Sequence, residues 1–425
     1  MPTAAIVGIN WGDEGKGRMV DLFASDYDVV VRYQGGNNAG HTVVNQHGKF
    51  ALNLIPSGIF NAGVRNVLGN GVVIDLEHLF NEVGRIRNAG IPITPENFII
   101  SQRAIICFPF HRDQDVFEEE RLKGAKYGST RRGIAPVYGD KYLKKGIQMG
   151  ELLLDDDYLK ARLERLLEWK NLVIQCMYDK PPYTVEDMLA WLRTYGDPFK
   201  EYIHDVQSLL VEAKRLNKHI LFEAQLGALR DVDYGIYPYT SSSSPLASYA
   251  PIGSGAPSLR VDEVVGIVKA YSTCVGEGPF VVEMFGEDAE RLREAGAEYG
   301  AATGRPRRVG PFDAVASRYG VQVQGATTLA LTKLDVLSYM ETIPVCTAYN
   351  IDGKITRDFP FAPLLSGAKP VIETMPGWGV DISNARRWED LPKEAQRYVE
   401  FAQDEMACGI GYVSVGPDRD AIIRR

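Results

Sequence analysis

The sequence predicts an α/β fold, a large and mostly parallel central sheet flanked by helices, of the phosphate-loop type and with helical insertions. Three observations predict it. Short apolar runs recur without polar alternation, as strands covered on both faces do. Amphipathic stretches of helical period separate them, the pattern that builds parallel sheets. The first apolar run, Ala4-Ala5-Ile6-Val7, leads into a glycine-rich turn and then a helical segment from Lys16 through Val20 to Phe23.

That turn, Gly8-Ile-Asn-Trp-Gly-Asp-Glu-Gly-Lys-Gly17, is where the chemistry gathers. Backbone N–H groups freed by the turn and by the first helical turn converge on an anion, and the helix dipole favours its charge. Glycines at 8, 12, 15 and 17 let the backbone approach phosphate without interference from Cβ, and Lys16 can set a point charge among the outer phosphate oxygens. The loop departs from the common Walker pattern. Asn10 stands at its first glycine, and Gly17 at the Ser or Thr that holds Mg²⁺. Mg²⁺ still requires a hard oxygen, and Asp13 inside the loop offers one.

A second apolar run, Val29-Val30-Val31, leads into Arg32-Tyr33-Gln34-Gly35-Gly36-Asn37-Asn38-Ala39-Gly40-His41-Thr42. In open parallel sheets ligands bind beyond the carboxyl ends of the strands, which brings this loop close to the first. Further strands are expected at Phe98-Ile99-Ile100, Ile220-Leu221-Phe222, Phe280-Val281-Val282, Leu329-Ala330-Leu331 and Gly411-Tyr412-Val413. Helices are expected over Leu76 to Ile86, Tyr158 to Trp169, Val206 to Leu216 and Lys393 to Ala402. No low-complexity linker or repeat interrupts them. The 425 residues therefore read as one domain, with a mainly helical inserted region at about 110–216.

Composition bounds the function class. Hydrophobic content of 45% and charged content of 24% suit a globular protein with a substantial core, and a net charge of −8 argues against a surface that coats nucleic acid. The cysteines (107, 176, 274, 346 and 408) lie far apart without a C-x-x-C pair, so reduced thiols and a cytoplasmic location are expected. The first strand follows the N-terminus within three residues, leaving no room for a signal peptide. The uncharged run from Tyr234 to Leu259 is too rich in Gly, Pro and Ser for a membrane span, and no membrane partner is expected.

Thr332-Lys333-Leu334-Asp335 directly follows an apolar strand. A Lys-x-Asp element at a strand end suits guanine: the carboxylate accepts from N1–H and the 2-amino group together, a donor pair adenine lacks, while the lysine stem packs on the base. With a phosphate loop in the same chain, the fold is of the GTP-binding type. A regulatory GTPase would also need an Asp-x-x-Gly element to sense the γ-phosphate. None occurs, which favours an enzyme using GTP as a phosphoryl donor over a nucleotide switch.

Two further clusters suit anions. Gly300-Ala-Ala-Thr-Gly-Arg-Pro-Arg-Arg308 is a loop with three arginines, able to hold carboxylate or phosphate bidentately. Gly128-Ser-Thr-Arg-Arg-Gly133 is similar and is followed by Lys141, Lys144 and Lys145. Of the six histidines, 47, 78, 111, 204 and 219 stand outside any motif and read as ordinary surface or satisfied residues. His41 ends the Gly/Asn loop, where a neutral imidazole could donate to an oxygen gaining charge during transfer.

Together these residues resemble the adenylosuccinate synthetase family. The family's phosphate-loop signature is matched by Trp11-Gly-Asp-Glu-Gly-Lys-Gly17 and its second signature by Gln34-Gly-Gly-Asn-Asn-Ala-Gly-His-Thr42. The similarity continues through Gly128-Ser-Thr-Arg-Arg-Gly-Ile134, Tyr237-Pro-Tyr239, Thr303-Gly-Arg-Pro-Arg-Arg308, Thr332-Lys-Leu-Asp335 and Ser414-Val-Gly-Pro417, in order along essentially the whole chain. The resemblance implies GTP, IMP and L-aspartate as substrates, Mg²⁺ as cofactor and a homodimer. It implies adenylosuccinate, GDP and phosphate as products, the first committed step from IMP to AMP. Asp13, His41 and Lys16 would be catalytic: Asp13 takes the proton from N1 of IMP, and His41 stabilises the transferred group and acts as general acid. Aspartate then displaces phosphate from a 6-phosphoryl intermediate.

Carried over residue by residue, GTP would meet Gly12, Asp13, Glu14, Gly15, Lys16, Gly17 and Arg18. It would also meet Gly40, His41, Thr42, Arg307, Lys333, Leu334, Asp335, Ser414, Val415 and Gly416. IMP would meet Asp13, Glu14, Gly15, Lys16, Asn38, Ala39, Gly40, His41, Thr130, Lys144, Gln225, Ser241 and Arg305. Aspartate would be enclosed by Ala301, Ala302, Thr303, Gly304, Arg305, Pro306 and Arg307. Asp13 and the Gly40 carbonyl would ligate Mg²⁺. This chain departs from the family at Lys144, where an arginine usually reaches the partner subunit's IMP phosphate. Gln225 comes one place early, in Ala224-Gln225-Leu226-Gly227, and Ser241 and Ala302 replace common threonines. The alternatives are a related synthetase acting on a guanine monophosphate, against which the retained Asp13 argues, and a non-catalytic guanine-nucleotide switch.

Overall fold

Among the described residues ten strands form the central sheet, and their spatial order explains how distant loops meet. From one edge to the other they run Ile422–Arg424, Ile410–Ser414, Thr328–Thr332, Glu263–Lys269, Thr3–Gly8, Ile220–Glu223, Val29–Arg32, Arg65–Leu68, Phe98–Ser101 and Ile203–His204. Every pairing is parallel except that of Ile410–Ser414 with Ile422–Arg424. The sheet belongs to a computed structural model describing residues 3–38, 40–45, 47–300, 304 and 306–425. Thr3–Gly8 and Val29–Arg32 are buried at every position, which is why their sequences are continuous apolar runs rather than alternating ones.

The expected strands near 98, 220, 329 and 411 are present. Phe280-Val281-Val282 is not a strand; it lies in a turn. Its apolar character serves packing instead: the Phe280 ring meets Trp11 edge-on at 4.9 Å, and Val282 lies against Gly310. The strand in this part of the chain is Glu263–Lys269, inserted between Thr3–Gly8 and Thr328–Thr332.

Helices cover both faces. Leu76–Asn88, Val206–Arg215 and Lys393–Met406 fall where expected, and Asp156–Tyr178 extends well beyond the expected Tyr158 to Trp169. Pro109–Leu122, Ile134–Tyr142, Asp156–Tyr178 and Val185–Gly196 follow one another before Ile203–His204 rejoins the sheet edge. Among the described residues no helix is long and apolar enough to cross a membrane.

Because the strands are parallel, the segments after Gly8, Arg32, Glu223, Lys269, Thr332 and Ser414 all leave the same edge. Adjacent strands lie about 4.8 Å apart, so the Thr332 and Arg32 exits flank the Gly8 exit at roughly 10 Å on either side.

Candidate active site

The phosphate loop turns sharply. Gly12 and Gly15 have φ of 106° and 102°, and Asp13 has φ of 61°, in the left-handed region that non-glycine residues seldom adopt. Gly15 caps the helix Lys16–Phe23, whose first N–H groups have no acceptor within the helix and face the loop's mouth. Not all loop amides are free. The buried Glu14 carboxylate accepts from the N–H of Asn10 (3.1 Å) and Gly12 (2.8 Å), and its other oxygen pairs with Lys16 Nζ at 2.6 Å. Lys16 is thus anchored inside the loop, with N–H donors left over for a phosphate oxygen.

The second loop packs on the first. A Cβ on Gly17 would lie 2.6 Å from the Cβ of His41, so only glycine lets the helix start approach the imidazole. His41 begins the hairpin strand His41–Asn45, and its Nδ1 lies 2.6 Å from Oε1 of Glu223 at the end of Ile220–Glu223. Ser57 holds Glu223 in place, donating its N–H to one oxygen (2.8 Å) and its hydroxyl to the other (2.6 Å). Burial alone would raise the Glu223 carboxyl, but His41, Arg32 and Ser57 outweigh it and hold it below its ordinary value. Burial lowers the His41 pKa; Glu223 pulls it back up, while Arg32 and Lys16 add to the lowering.

An ionised Glu223 can only accept, so Nδ1 of His41 carries the hydrogen. The neutral ring then offers a lone pair at Nε2, which is buried without a partner among the described residues. This corrects the expectation of a neutral donor: donation from Nε2 requires the imidazolium, which Glu223 supports.

Asp13 is partly exposed, and its Oδ2 lies 2.9 Å from Arg307 Nε. That N–H is buried and not aimed at the carboxylate, so the contact is a charge pair rather than a hydrogen bond. Arg307 also donates to Glu298 Oε2 at 2.7 Å. Gly304 and Pro306 are exposed beside it. Ala39, Ala301, Ala302, Thr303 and Arg305 lie outside the described residues.

The expected guanine end assembles two strands from the phosphate loop. Thr332 donates its hydroxyl to the Glu14 carbonyl at 2.7 Å, tying this strand end to the loop. Lys333 has φ of 61° and donates Nζ to the Gly296 carbonyl (2.6 Å) and Glu298 (2.7 Å), which leaves its stem to line the site. Asp335 is half-buried, and burial raises its carboxyl. Arg18 donates to Ser414 Oγ and to the Asp418 and Ala421 carbonyls; Leu334, Val415 and Gly416 are buried behind.

The remaining residues divide. Asn38 Oδ1 accepts from the Gly36 N–H at 3.0 Å, folding its loop, while Gly40 is exposed with open space where a Cβ would be, and Thr42 lies in the hairpin. Ser241 is half-buried, its hydroxyl 3.2 Å from Ser243. Thr130 and Lys144 are exposed. Gln225 is fully buried, and its Nε2 donates to the Gln34 (2.7 Å) and Gly36 (3.4 Å) carbonyls, while Gln34 donates back to the Gln225 carbonyl at 2.8 Å. Its amide therefore clasps the second loop. The sequence reading missed Glu223 and Glu298. Glu223 carries a usable signal, a carboxylate ending a continuous apolar strand at the ligand edge of a parallel sheet.

The adenylosuccinate synthetase family profile matches residues 5–423. "Adenylosuccinate synthetase 2" of Pseudoalteromonas translucida is 46% identical over 427 residues, covering 100% of both chains. Adenylosuccinate synthetase of Halothermothrix orenii is 42% identical over 426 residues, covering 100% of this chain and 99% of its own. The structure of fully ligated adenylosuccinate synthetase from Plasmodium falciparum superposes with a TM-score of 0.93 at 33% identity, covering 100% of both chains. A cyanophage succinoaminodeoxyadenylate synthetase, bound to dGMP and dATP, shares the fold alone, at a TM-score of 0.61 and 18% identity. Alike in profile, in full-length identity and in fold, the chain belongs to the adenylosuccinate synthetase family, the GTP-dependent ligases that join L-aspartate to IMP.

Proposed function

We propose that Asp13 and His41 carry the chemistry by which this protein ligates L-aspartate to IMP, with release of adenylosuccinate, GDP and phosphate. The 6-oxygen of a neutral lactam is a poor nucleophile. Asp13 takes the N1 proton, and O6 then attacks the γ-phosphate as the bond to the GDP oxygen breaks. The aspartate amine displaces phosphate from C6 of the resulting 6-phosphoryl-IMP. His41, oriented by Glu223, presents Nε2 to the transferred group and as imidazolium donates to its oxygen. Lys16, held by Glu14, and the amides of the first helical turn offset phosphate charge.

The observation that supports this reading best is His41 itself. It is buried, tied through Nδ1 to an ionised carboxylate, packed on the phosphate loop at Gly17, and its Nε2 bonds to nothing among the described residues. A histidine held in this way is prepared for a ligand atom at Nε2.

The donor set suits Mg²⁺ held mainly through substrate. Asp13 supplies a partly exposed carboxylate and Gly40 an exposed carbonyl, and the described residues contain no group of three His, Cys, Asp or Glu that would cage a metal. Mg²⁺ typically takes one or two protein oxygens and completes its shell with water and phosphate oxygens. When bound there it neutralises developing phosphate charge.

The 301–307 loop would receive aspartate, with Arg307 in it also facing GTP; Lys333, Asp335 and Ser414 to Gly416 would receive guanine. A homodimer belongs to the same proposal: Lys144 is exposed beside Tyr142 and Leu143, which are 73% and 57% exposed, a basic and apolar rim fit for a second copy. The five free thiols suit the reducing cytoplasm.

Incubation with GTP, Mg²⁺, IMP and aspartate, following the product's absorption and omitting each component in turn, tests the reading. Product is expected only in the complete mixture. Asp13→Ala is expected to lower turnover by a factor of about 10³ or more, since it removes both base and metal ligand. Substantial product from Asp13→Ala would exclude the assigned role.

A further inference from the structure

Behind the loops lies a carboxylate that is not itself among the expected substrate-binding residues. Glu298 is fully buried and accepts four hydrogen bonds. Tyr271 Oη, Lys269 Nζ (3.0 Å) and Lys333 Nζ (2.7 Å) meet at Oε1, and an Arg307 guanidinium nitrogen (2.7 Å) meets Oε2. Lys269 is itself buried and donates to Thr273 at 2.7 Å. Two of these partners belong to different parts of the site. Lys333 comes from the Lys-x-Asp element after Thr328–Thr332, and Arg307 from the arginine loop, where it also pairs with Asp13. One carboxylate therefore joins the guanine end to the aspartate end, through side chains that remain partly open to solvent at 33% and 13%.

We propose that Glu298 is a positioning residue that couples the guanine site to the aspartate site by holding Lys333 and Arg307 on one carboxylate. The proposal rests on the assignment of those two residues made above. Its physical basis is charge and geometry. Lys269, Lys333 and Arg307 converge on Glu298, while Arg307 also pairs with Asp13 and Lys333 feels the Asp335 carboxylate, so Arg307 and Lys333 are each shared between Glu298 and an acid of the site. A substrate carboxylate or phosphate arriving at Arg307 competes with Asp13 and Glu298 for its guanidinium. Arg307 Nε, 2.9 Å from Asp13 but without a hydrogen bond among the described residues, is a donor such a ligand can engage. When Arg307 turns to that ligand its share of Glu298 changes, and with it the anchoring of Lys333 against the base. Removing the Glu298 charge frees both side chains at once, because buried networks of this kind respond as a unit.

Glu298→Gln keeps the shape and removes the charge. Measured on the full-length protein, KM for aspartate and KM for GTP are both expected to rise by about tenfold, with KM for IMP within about twofold of the parent. A merely structural role would lower the melting temperature and leave both constants in place. Unchanged constants, or a rise in only one of them, overturns the coupling. If Glu298→Gln does not fold, Tyr271→Phe removes one hydrogen bond to the same oxygen and keeps the ring. Both constants are then expected to rise together by about threefold, and no change overturns the proposal. The two readings fail separately: an active Asp13→Ala sinks the site assignment, whereas an inactive Asp13→Ala beside an unaffected Glu298→Gln sinks only the coupling.

Discussion

At His41 a single contact sets the tautomer of the ring. Because Nδ1 keeps its hydrogen and donates it to Glu223, the protonation state of the ring decides whether Nε2 gives or receives a hydrogen bond. Glu223 raises the His41 pKa against burial, Arg32 and Lys16, so Glu223→Gln lowers it further and shrinks the imidazolium fraction at any given pH. If the imidazolium is the working form, kcat falls as pH rises through that pKa, and in Glu223→Gln the fall comes at lower pH. A kcat–pH profile checks this; an unmoved limb would detach Glu223 from the step. Asp335 allows an independent test. Its half-buried carboxylate suits the paired donors of guanine, so Asp335→Asn is expected to move preference from GTP to XTP, whose 2-oxo group wants a donor. Competition between the two nucleotides in the product assay reads it directly.

The phosphate loop keeps its shape because one helix is pressed against it. Ala314–Gln324 sends Gln324 Nε2 to the Gly8 carbonyl (3.0 Å), and its Ser317 accepts from Asn10 Nδ2 (3.0 Å). The approach is so close that a Cβ on Gly320 would lie 1.9 Å from the Ile9 carbonyl oxygen. Gly320→Ala must push the helix off the loop, and overpacking of this kind costs about 1–3 kcal/mol. Both a lower urea midpoint and a higher KM for GTP are expected; a lower midpoint with unaltered GTP use would mean that the loop keeps its shape without the helix.

Across the whole molecule, parallel pairing gathers at one sheet edge loops that lie hundreds of residues apart. It also buries groups with consequences for stability. Asp313 caps Ala314–Gln324, accepts from the Tyr349 hydroxyl, and burial pushes its carboxyl up to about 6. A carboxyl raised in the folded state keeps a proton that the unfolded chain has already lost. Its contribution is therefore present at low pH and disappears as pH rises from the ordinary aspartate value through 6. Asp313→Asn removes this dependence. Parent-minus-variant stability, from denaturant melts at pH 4 and pH 7, is expected to fall by about 2–3 kcal/mol on going to the higher pH, and a flat difference counts against it.

The phosphate loop, the Gly/Asn loop and the Lys-x-Asp element were legible because each places its candidate residues within a few positions of a strand end, where local chemistry speaks for itself. So were the continuous apolar strands near 29, 98, 220, 329 and 411, since burial on both faces leaves that mark. Phe280-Val281-Val282 misled because an apolar run records burial, not hydrogen-bond partners, and Glu263–Lys269 went unread although it fills the place in the sheet. Glu223 beneath His41, Glu14 on Lys16, the Gln225–Gln34 clasp and Glu298 between Lys333 and Arg307 were decided only by tertiary structure. Each is a pairing across sequence separations that carry no periodicity, and the strand order alone determines which charges become neighbours.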